Sequence, residues 1–144
     1  TEFIARVLGE LGSKKAVVVC GYGNIDEMTN TGPSRMSVYD EGTVTTDEIN
    51  PIDLGLKPAH ISELLGGDAP DNARILRGIL SGEVNSAKRD VVLLNASAAL
   101  MAGGLVNDLP RGIELAADVI GSGAALAKLD ALIAYTQELG SNGA

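Results

Sequence analysis

The sequence predicts an α/β fold in which a partial mixed sheet is covered by helices and the C-terminal half is all helical. The β-branched run at 16–20 is typical of a buried parallel-type strand, and alternation at 36–39 and 43–46 around a glycine-containing turn indicates a hairpin. Beyond residue 68 the apolar residues recur at helical spacing. A few strands followed by helices therefore place the chain in the α/β class, with one parallel-type strand plus a hairpin.

The N-terminal elements follow from glycines, prolines and apolar spacing. An amphipathic helix is expected from the first residues to about Gly12, and the strand at 16–20 comes next. Asn50 and Lys57 each precede a proline, so both mark loops that carry the chain to the other side of the sheet. Because the chain begins within this helix and its first residue is Thr1 rather than Met, we expect it to be a segment of a longer protein.

The helical half is predicted from capping residues and apolar stripes. Asp68 is expected to cap a helix over 69–81, Asp108 a later helix and Ser122 the last one. The helix expected at 86–102 is apolar around most of its girth, so it should form the spine of the helical layer. The inward stripe predicted for 69–81 is Ala73, Leu76, Ile79 and Leu80, and the glycines predicted to close the last helices are Gly121 and Gly140.

Composition limits the function classes. The chain has 144 residues and is expected to form a single α/β domain over 1–144. A formal net charge of -8 argues against nucleic acid or an anionic membrane surface as a partner. The one cysteine, Cys20, is predicted to be a buried structural thiol, because nothing brings it to His60, the one histidine. Without a signal peptide or an apolar run long enough for a bilayer, a cytoplasmic location is expected.

Two adjacent acids, Asp26 and Glu27, follow the buried strand after a glycine-containing turn. Hard oxygen ligands just past the carboxyl end of a strand are a common way to hold a magnesium-bound phosphate, so these residues are the predicted metal ligands. An ordinary solvated loop is the alternative. Gly21 and Gly23 either allow close approach of a ligand to the backbone or form a turn that requires positive φ.

A series of sequence blocks resembles the C-terminal α/β part of the anthranilate phosphoribosyltransferase family. The order and spacing of the blocks match over essentially the whole chain. The blocks are IDEMT at 25–29, TGP at 31–33, GGDAPDNARIL at 66–76 and RDVVLLNASAAL at 89–100.

The resemblance implies a parent enzyme that transfers the phosphoribosyl group of phosphoribosyl pyrophosphate (PRPP) to anthranilate. Pyrophosphate is released, and the reaction belongs to tryptophan biosynthesis. The resemblance places Asp26 and Glu27 on the family's acidic pair, which holds Mg²⁺ on the diphosphate. Members are similar in being homodimers through N-terminal helices, which this chain lacks.

The resemblance also indicates what the chain lacks. We find no counterpart of the family's glycine-rich phosphate loop, its Lys-His-Gly-Asn stretch or its anthranilate-binding arginine. No basic residue lies between Lys15 and Arg35, so the anionic donor would meet the acids without cationic help. No catalytic residue is therefore assigned, and the isolated segment is expected to be inactive.

The sequence is also compatible with two other functions: a nucleoside phosphorylase-like enzyme, and a non-catalytic binding or assembly module that retains the fold. Asn72 and Asn95 are expected to tie helices to loops through their amides. His60 is expected to be a surface or capping residue. For Tyr22, lining the site and covering the strand end are both open.

Overall fold

The computed structural model describes residues 1–142, and for 141 and 142 only the backbone. The described residues form two compact units, one made of 1–65 and 86–116 and the other of 66–85 and the chain from residue 117 onward. The single domain predicted for 1–144 stays a prediction. The elements are α1 (Glu2–Glu10), β1 (Lys15–Cys20), β2 (Ser34–Asp40), β3 (Thr43–Ile49), a 3-10 helix (Pro51–Leu54), α2 (Ile61–Leu64), α3 (Ala69–Leu80), α4 (Ala87–Ala102), α5 (Leu109–Gly121) and α6 (Ala124–Asn142).

The sheet of the first unit has the order β1-β2-β3, and both pairs are antiparallel. Glu41 and Gly42, with φ of 43° and 95°, join β2 to β3 in a turn whose twist suits a hairpin. The α/β class, the hairpin and the all-helical C-terminal half are confirmed. The parallel-type pairing predicted for 16–20 is wrong, because the loop at 21–33 reverses the chain, whereas parallel pairing needs a crossover to the opposite end of the sheet.

Helix α4 buries side chains from Val91 to Met101 in the first unit, as expected of a helix that is apolar around most of its girth. Its role as the spine of the whole helical layer stays a prediction. The side chain of Leu94 is fully buried, and the Ser97 hydroxyl donates a hydrogen bond of 2.9 Å to the carbonyl of Leu109. The sheet and the following loops pack onto this helix around a common core. The buried members of that core are Met28, Met36, Leu56, Leu94, Ala98, Met101, Val106 and Leu109.

The second unit contains α3 and α6. Asp68 caps α3 as predicted, because its carboxylate accepts a 2.9 Å hydrogen bond from the backbone N–H of Asp71. Arg77 and Asp130 form an ion pair of 2.9 Å between the two helices. The predicted inward stripe is only partly correct: Ile79 is buried and Leu80 half-buried, whereas Ala73 and Leu76 are exposed because α3 buries its C-terminal turns rather than its first ones.

Two of the predicted terminal caps differ from the structure. Asp108 does cap α5, with a 2.8 Å bond from the N–H of Arg111. Ser122 caps no helix; its hydroxyl donates instead to the carbonyl of Val119, and Gly123, at φ 79°, lies between α5 and α6. Gly121 is the last residue of α5 and closes it as predicted, whereas Gly140 lies inside α6, which continues to Asn142.

None of the helices within residues 1–142 combines the length and the apolar character that crossing a membrane requires.

Asp90, in the first turn of α4, makes the free energy of unfolding depend on pH. Burial raises the pKa of its carboxyl, and the nearby charges of Arg89 and Lys57 oppose that shift. Since the folded protein holds this proton more tightly than the unfolded chain does, the stabilising contribution is complete below the unfolded pKa of about 4. It is lost as the pH rises through the folded pKa.

Asp90→Asn is therefore expected to raise the melting temperature relative to the unchanged chain at pH 7, with the difference shrinking as the pH falls toward about 4. Thermal denaturation followed by circular dichroism across this pH range measures it. Asp47→Asn, at an exposed position on β3, is the matched control and should show no such pH-dependent difference. A lower melting temperature for Asp90→Asn at pH 7 contradicts the prediction.

Candidate functional site

A tight turn brings the acidic pair to the surface directly after β1. The N–H of Gly21 donates to the carbonyl of Ile25 at 2.8 Å, and the N–H of Asn24 donates to the carbonyl of Gly21 at 3.0 Å. Gly23 and Asn24 have positive φ, of 76° and 64°, which glycine and asparagine tolerate best. Of the two interpretations of Gly23, the structure therefore supports the turn. Asp26 and Glu27 follow, and both are exposed.

The chain enters the core immediately after the two acids. Met28, Thr29 and Asn30 have at most 1% of their surface exposed. The N–H of Thr29 donates to the Ser34 hydroxyl at 3.2 Å, and the Asn30 amide donates to the carbonyl of Ala87 at 3.1 Å. The acidic pair thus lies between a hydrogen-bonded turn on one side and a buried, anchored stretch on the other.

Asn95 of α4 holds the first of these buried residues by its backbone. Its side-chain oxygen accepts from the N–H of Met28 at 2.8 Å, and its side-chain nitrogen donates to the carbonyl of the same residue at 2.7 Å. The nitrogen also donates to the carbonyl of Val91, one turn earlier, at 2.9 Å. The prediction that Asn95 ties a helix to a loop is confirmed, and the loop is the one that carries the acids.

The other residues that the sequence left open have structural partners. Asn72 bonds both the N–H and the carbonyl of Gly67, at 3.0 and 2.9 Å, so it too ties a helix to a loop as predicted. His60 is the N-cap of α2. Its ring accepts a hydrogen bond from the backbone N–H of Ser62, and its backbone N–H donates to the carboxylate of Glu63 at 2.8 Å. The capping role predicted for His60 is confirmed.

Gly21 packs directly against the backbone of the acidic pair. A Cβ atom added at this position would overlap the carbonyl oxygen of Glu27, a backbone atom that has little freedom to move away. The close approach that a glycine permits here is therefore between two parts of the same loop.

Both carboxylates are available to a ligand. Within residues 1–140, neither Asp26 nor Glu27 forms a side-chain hydrogen bond or an ion pair, and no group of three or more His, Cys, Asp or Glu side chains could hold a metal ion. Mg²⁺ in phosphate-transfer sites is commonly held by one or two carboxylates, with waters and substrate phosphates completing the octahedron. The donor set therefore fits a Mg²⁺ ion that arrives with a phosphate ligand.

A cavity of about 500 Å³ lies beside the turn, with a mostly apolar lining. Its size lies within the usual range for small-molecule sites. Tyr22 borders it and covers Gly32 with its ring. Neither Asp26 nor Glu27 lines this cavity, so both alternatives for Tyr22, lining the acidic site and covering the strand end, stay open. The sequence did not predict this cavity, because its walls come from separate segments that no local pattern connects. The lining residues are Tyr22, Gly23, Ile25, Thr31, Ala59, His60 and Ile61.

Comparison with known proteins defines the class. Residues 1–126 match the family described as the glycosyl transferase family, a/b domain, so the chain belongs to that family. More particularly, it is 47% identical over 137 residues to the anthranilate phosphoribosyltransferase of Moorella thermoacetica. The matched region covers 95% of this chain and 40% of that protein. The resemblance inferred from the sequence blocks is confirmed.

Solved structures agree. The anthranilate phosphoribosyltransferase of Thermus thermophilus superposes with a TM-score of 0.82 at 32% identity, over 93% of this chain and 39% of that one. The Saccharomyces cerevisiae enzyme in complex with PRPP and Mg superposes with a TM-score of 0.71 at 26% identity, over 79% of this chain and 33% of that one. The chain thus spans about 40% or less of the length of these proteins.

Gly21→Ala is expected to lower the free energy of unfolding by about 1–3 kcal/mol, the usual cost of forcing an extra methyl group into a packed site. Gly121→Ala is the control, because a Cβ at this exposed helical position meets nothing within 4 Å. It should be neutral or stabilising by up to about 1 kcal/mol through helix propensity. Urea denaturation measures both variants, and equal stabilities would contradict the close packing of Gly21 on Glu27.

Proposed function

We propose that this chain supplies the metal-binding α/β part of an anthranilate phosphoribosyltransferase, which transfers the phosphoribosyl group of PRPP to the amine of anthranilate and releases pyrophosphate. The observation that carries the proposal is the placement of Asp26 and Glu27. They are exposed, without side-chain partners among residues 1–140, and flanked by anchored backbone on both sides. The similarity to enzymes of that name supports the same assignment.

The reaction explains why a pair of exposed acids is useful. Breaking the bond between ribose C1 and oxygen leaves positive charge on the sugar and negative charge on the departing pyrophosphate. A bound Mg²⁺ ion neutralises the latter charge. In this scheme Asp26 and Glu27 would hold the ion through their carboxylates, and neither of them transfers a proton.

Cationic contacts to the phosphates must come from elsewhere. No lysine or arginine lies between Lys15 and Arg35, so the loop that bears the acids has no positive charge of its own. The net charge of -8 adds a general repulsion toward a polyanionic donor. We assign the phosphate and anthranilate contacts to the part of the enzyme that this chain does not contain. Homodimer formation and a cytoplasmic location stay predictions.

A fusion enzyme tests the function and the acidic pair together. In it, this chain replaces the matching segment of the Moorella thermoacetica enzyme, and consumption of anthranilate with PRPP and Mg²⁺ is followed by fluorescence. We expect turnover, and a loss of about 10²-fold or more in kcat/KM when Asp26→Asn and Glu27→Gln are combined, as for other groups that stabilise developing charge.

The control for this experiment is the neighbouring acidic pair on β3. Asp47→Asn combined with Glu48→Gln removes the same charge from exposed positions and should leave kcat/KM within about twofold, because surface charges away from a site act weakly. A folded fusion enzyme without turnover contradicts the proposed function. Full activity in the Asp26 and Glu27 double variant contradicts the proposed site.

The 144-residue chain alone is expected to show no turnover and no saturable binding of PRPP at micromolar concentrations. Isothermal titration calorimetry in the presence of Mg²⁺ measures the binding. Tight binding by the chain alone contradicts the assignment of the cationic contacts to the rest of the enzyme.

A further inference from the structure

We propose that Asn95 is a positioning residue for the acidic pair, and that it sets the affinity of the site for Mg²⁺ through the backbone of Met28. The inference rests on the proposed function of Asp26 and Glu27. Asn95 touches neither acid in the hydrogen bonds that it makes; its partners are the two backbone groups of Met28 and the carbonyl of Val91.

The geometry orients the peptide plane that follows Glu27. The N–H of Met28 belongs to the same planar peptide group as the carbonyl of Glu27, so the bond from the Asn95 oxygen fixes both. Gly21 packs against that carbonyl from another side. The peptide that leaves the acidic pair is therefore held at its N–H by a side chain and at its oxygen by close packing.

The support for this anchor is the helix rather than the loop. Asn95 and Met28 are 67 positions apart, and Asn95 follows the fully buried Leu94 in the middle of α4. The third bond, to Val91 in the preceding turn, fixes the orientation of the amide itself. The Asn95 amide is therefore fixed by α4, and it restrains the backbone of Met28 against movement of the loop.

Residues behind metal ligands commonly change metal affinity by 10- to 100-fold when they are removed. Loss of the Asn95 amide leaves the N–H and the carbonyl of the buried Met28 unpaired, which favours other conformations of the loop. The two carboxylates then spend less time in the geometry that a single ion requires. The effect should appear in metal affinity and much less in the affinity for anthranilate.

The test uses the fusion enzyme with Asn95→Ala and measures the Mg²⁺ concentration that gives half-maximal activity. We expect this concentration to rise about 10-fold or more, while KM for anthranilate changes less than about threefold. Asn95→Gln keeps both an amide acceptor for the N–H of Met28 and an amide donor for its carbonyl, so its effect should be smaller than that of Asn95→Ala. This second variant also answers the question if Asn95→Ala does not fold.

Asn72→Ala is the matched control, because Asn72 makes the same pair of bonds to the backbone of a loop residue, Gly67, in the other unit. It should leave the Mg²⁺ requirement unchanged. A readout independent of activity is hydrogen exchange of the peptide that covers 21–30, which should accelerate in Asn95→Ala and not in Asn72→Ala.

The outcomes separate this inference from the function on which it rests. If combined Asp26→Asn and Glu27→Gln raise the Mg²⁺ requirement while Asn95→Ala lowers only the melting temperature, Asn95 is structural and the inference fails alone. If the acidic variants leave the Mg²⁺ requirement unchanged, the proposed site fails as well.

Discussion

The hydrogen bonds between the Asn95 amide and the backbone of Met28 are the interaction on which the acidic loop depends. Ordering each loop residue costs about 1–2 kcal/mol in backbone entropy, and exposed acids contribute no burial to offset that cost. Here the order comes from the neighbours of the acids. Met28 buries its side chain in the core while its N–H and carbonyl find partners on α4, so the loop stays defined where its functional groups face solvent.

Helix α4 therefore carries two tasks at once. Its apolar residues form the core beneath the sheet, and a few polar atoms along it hold the loop after β1. The Asn30 amide donates a hydrogen bond to the carbonyl of Ala87 at the start of the same helix. Asn30 lies two residues after Met28, which Asn95 holds. Packing of this helix and geometry of the acidic loop are coupled for that reason.

The charge of the loop suits a site that is completed by its ligands. Asp26 and Glu27 have no cation beside them in the sequence and no ion-pair partner among residues 1–140, so a divalent ion would not have to displace an internal partner. The apolar cavity bordered by Tyr22 and Gly23 lies beside the turn that precedes them. Residues of one turn therefore border the cavity and lead directly to the two exposed acids.

Features that depend on residues a few positions apart could be predicted from the sequence alone. Asp68 and Asp108 cap the helices expected of them, and the acids follow a strand and a glycine-containing turn, because capping, turn geometry and periodicity are local. Ser122 shows the limit of such reasoning, since its hydroxyl found a carbonyl of the preceding helix instead. Tertiary contacts, by contrast, fix the antiparallel pairing of β1, the cavity beside Tyr22 and the residue that Asn95 holds. Each of these features depends on contacts between residues that are far apart in the sequence, and those contacts form only when the core packs.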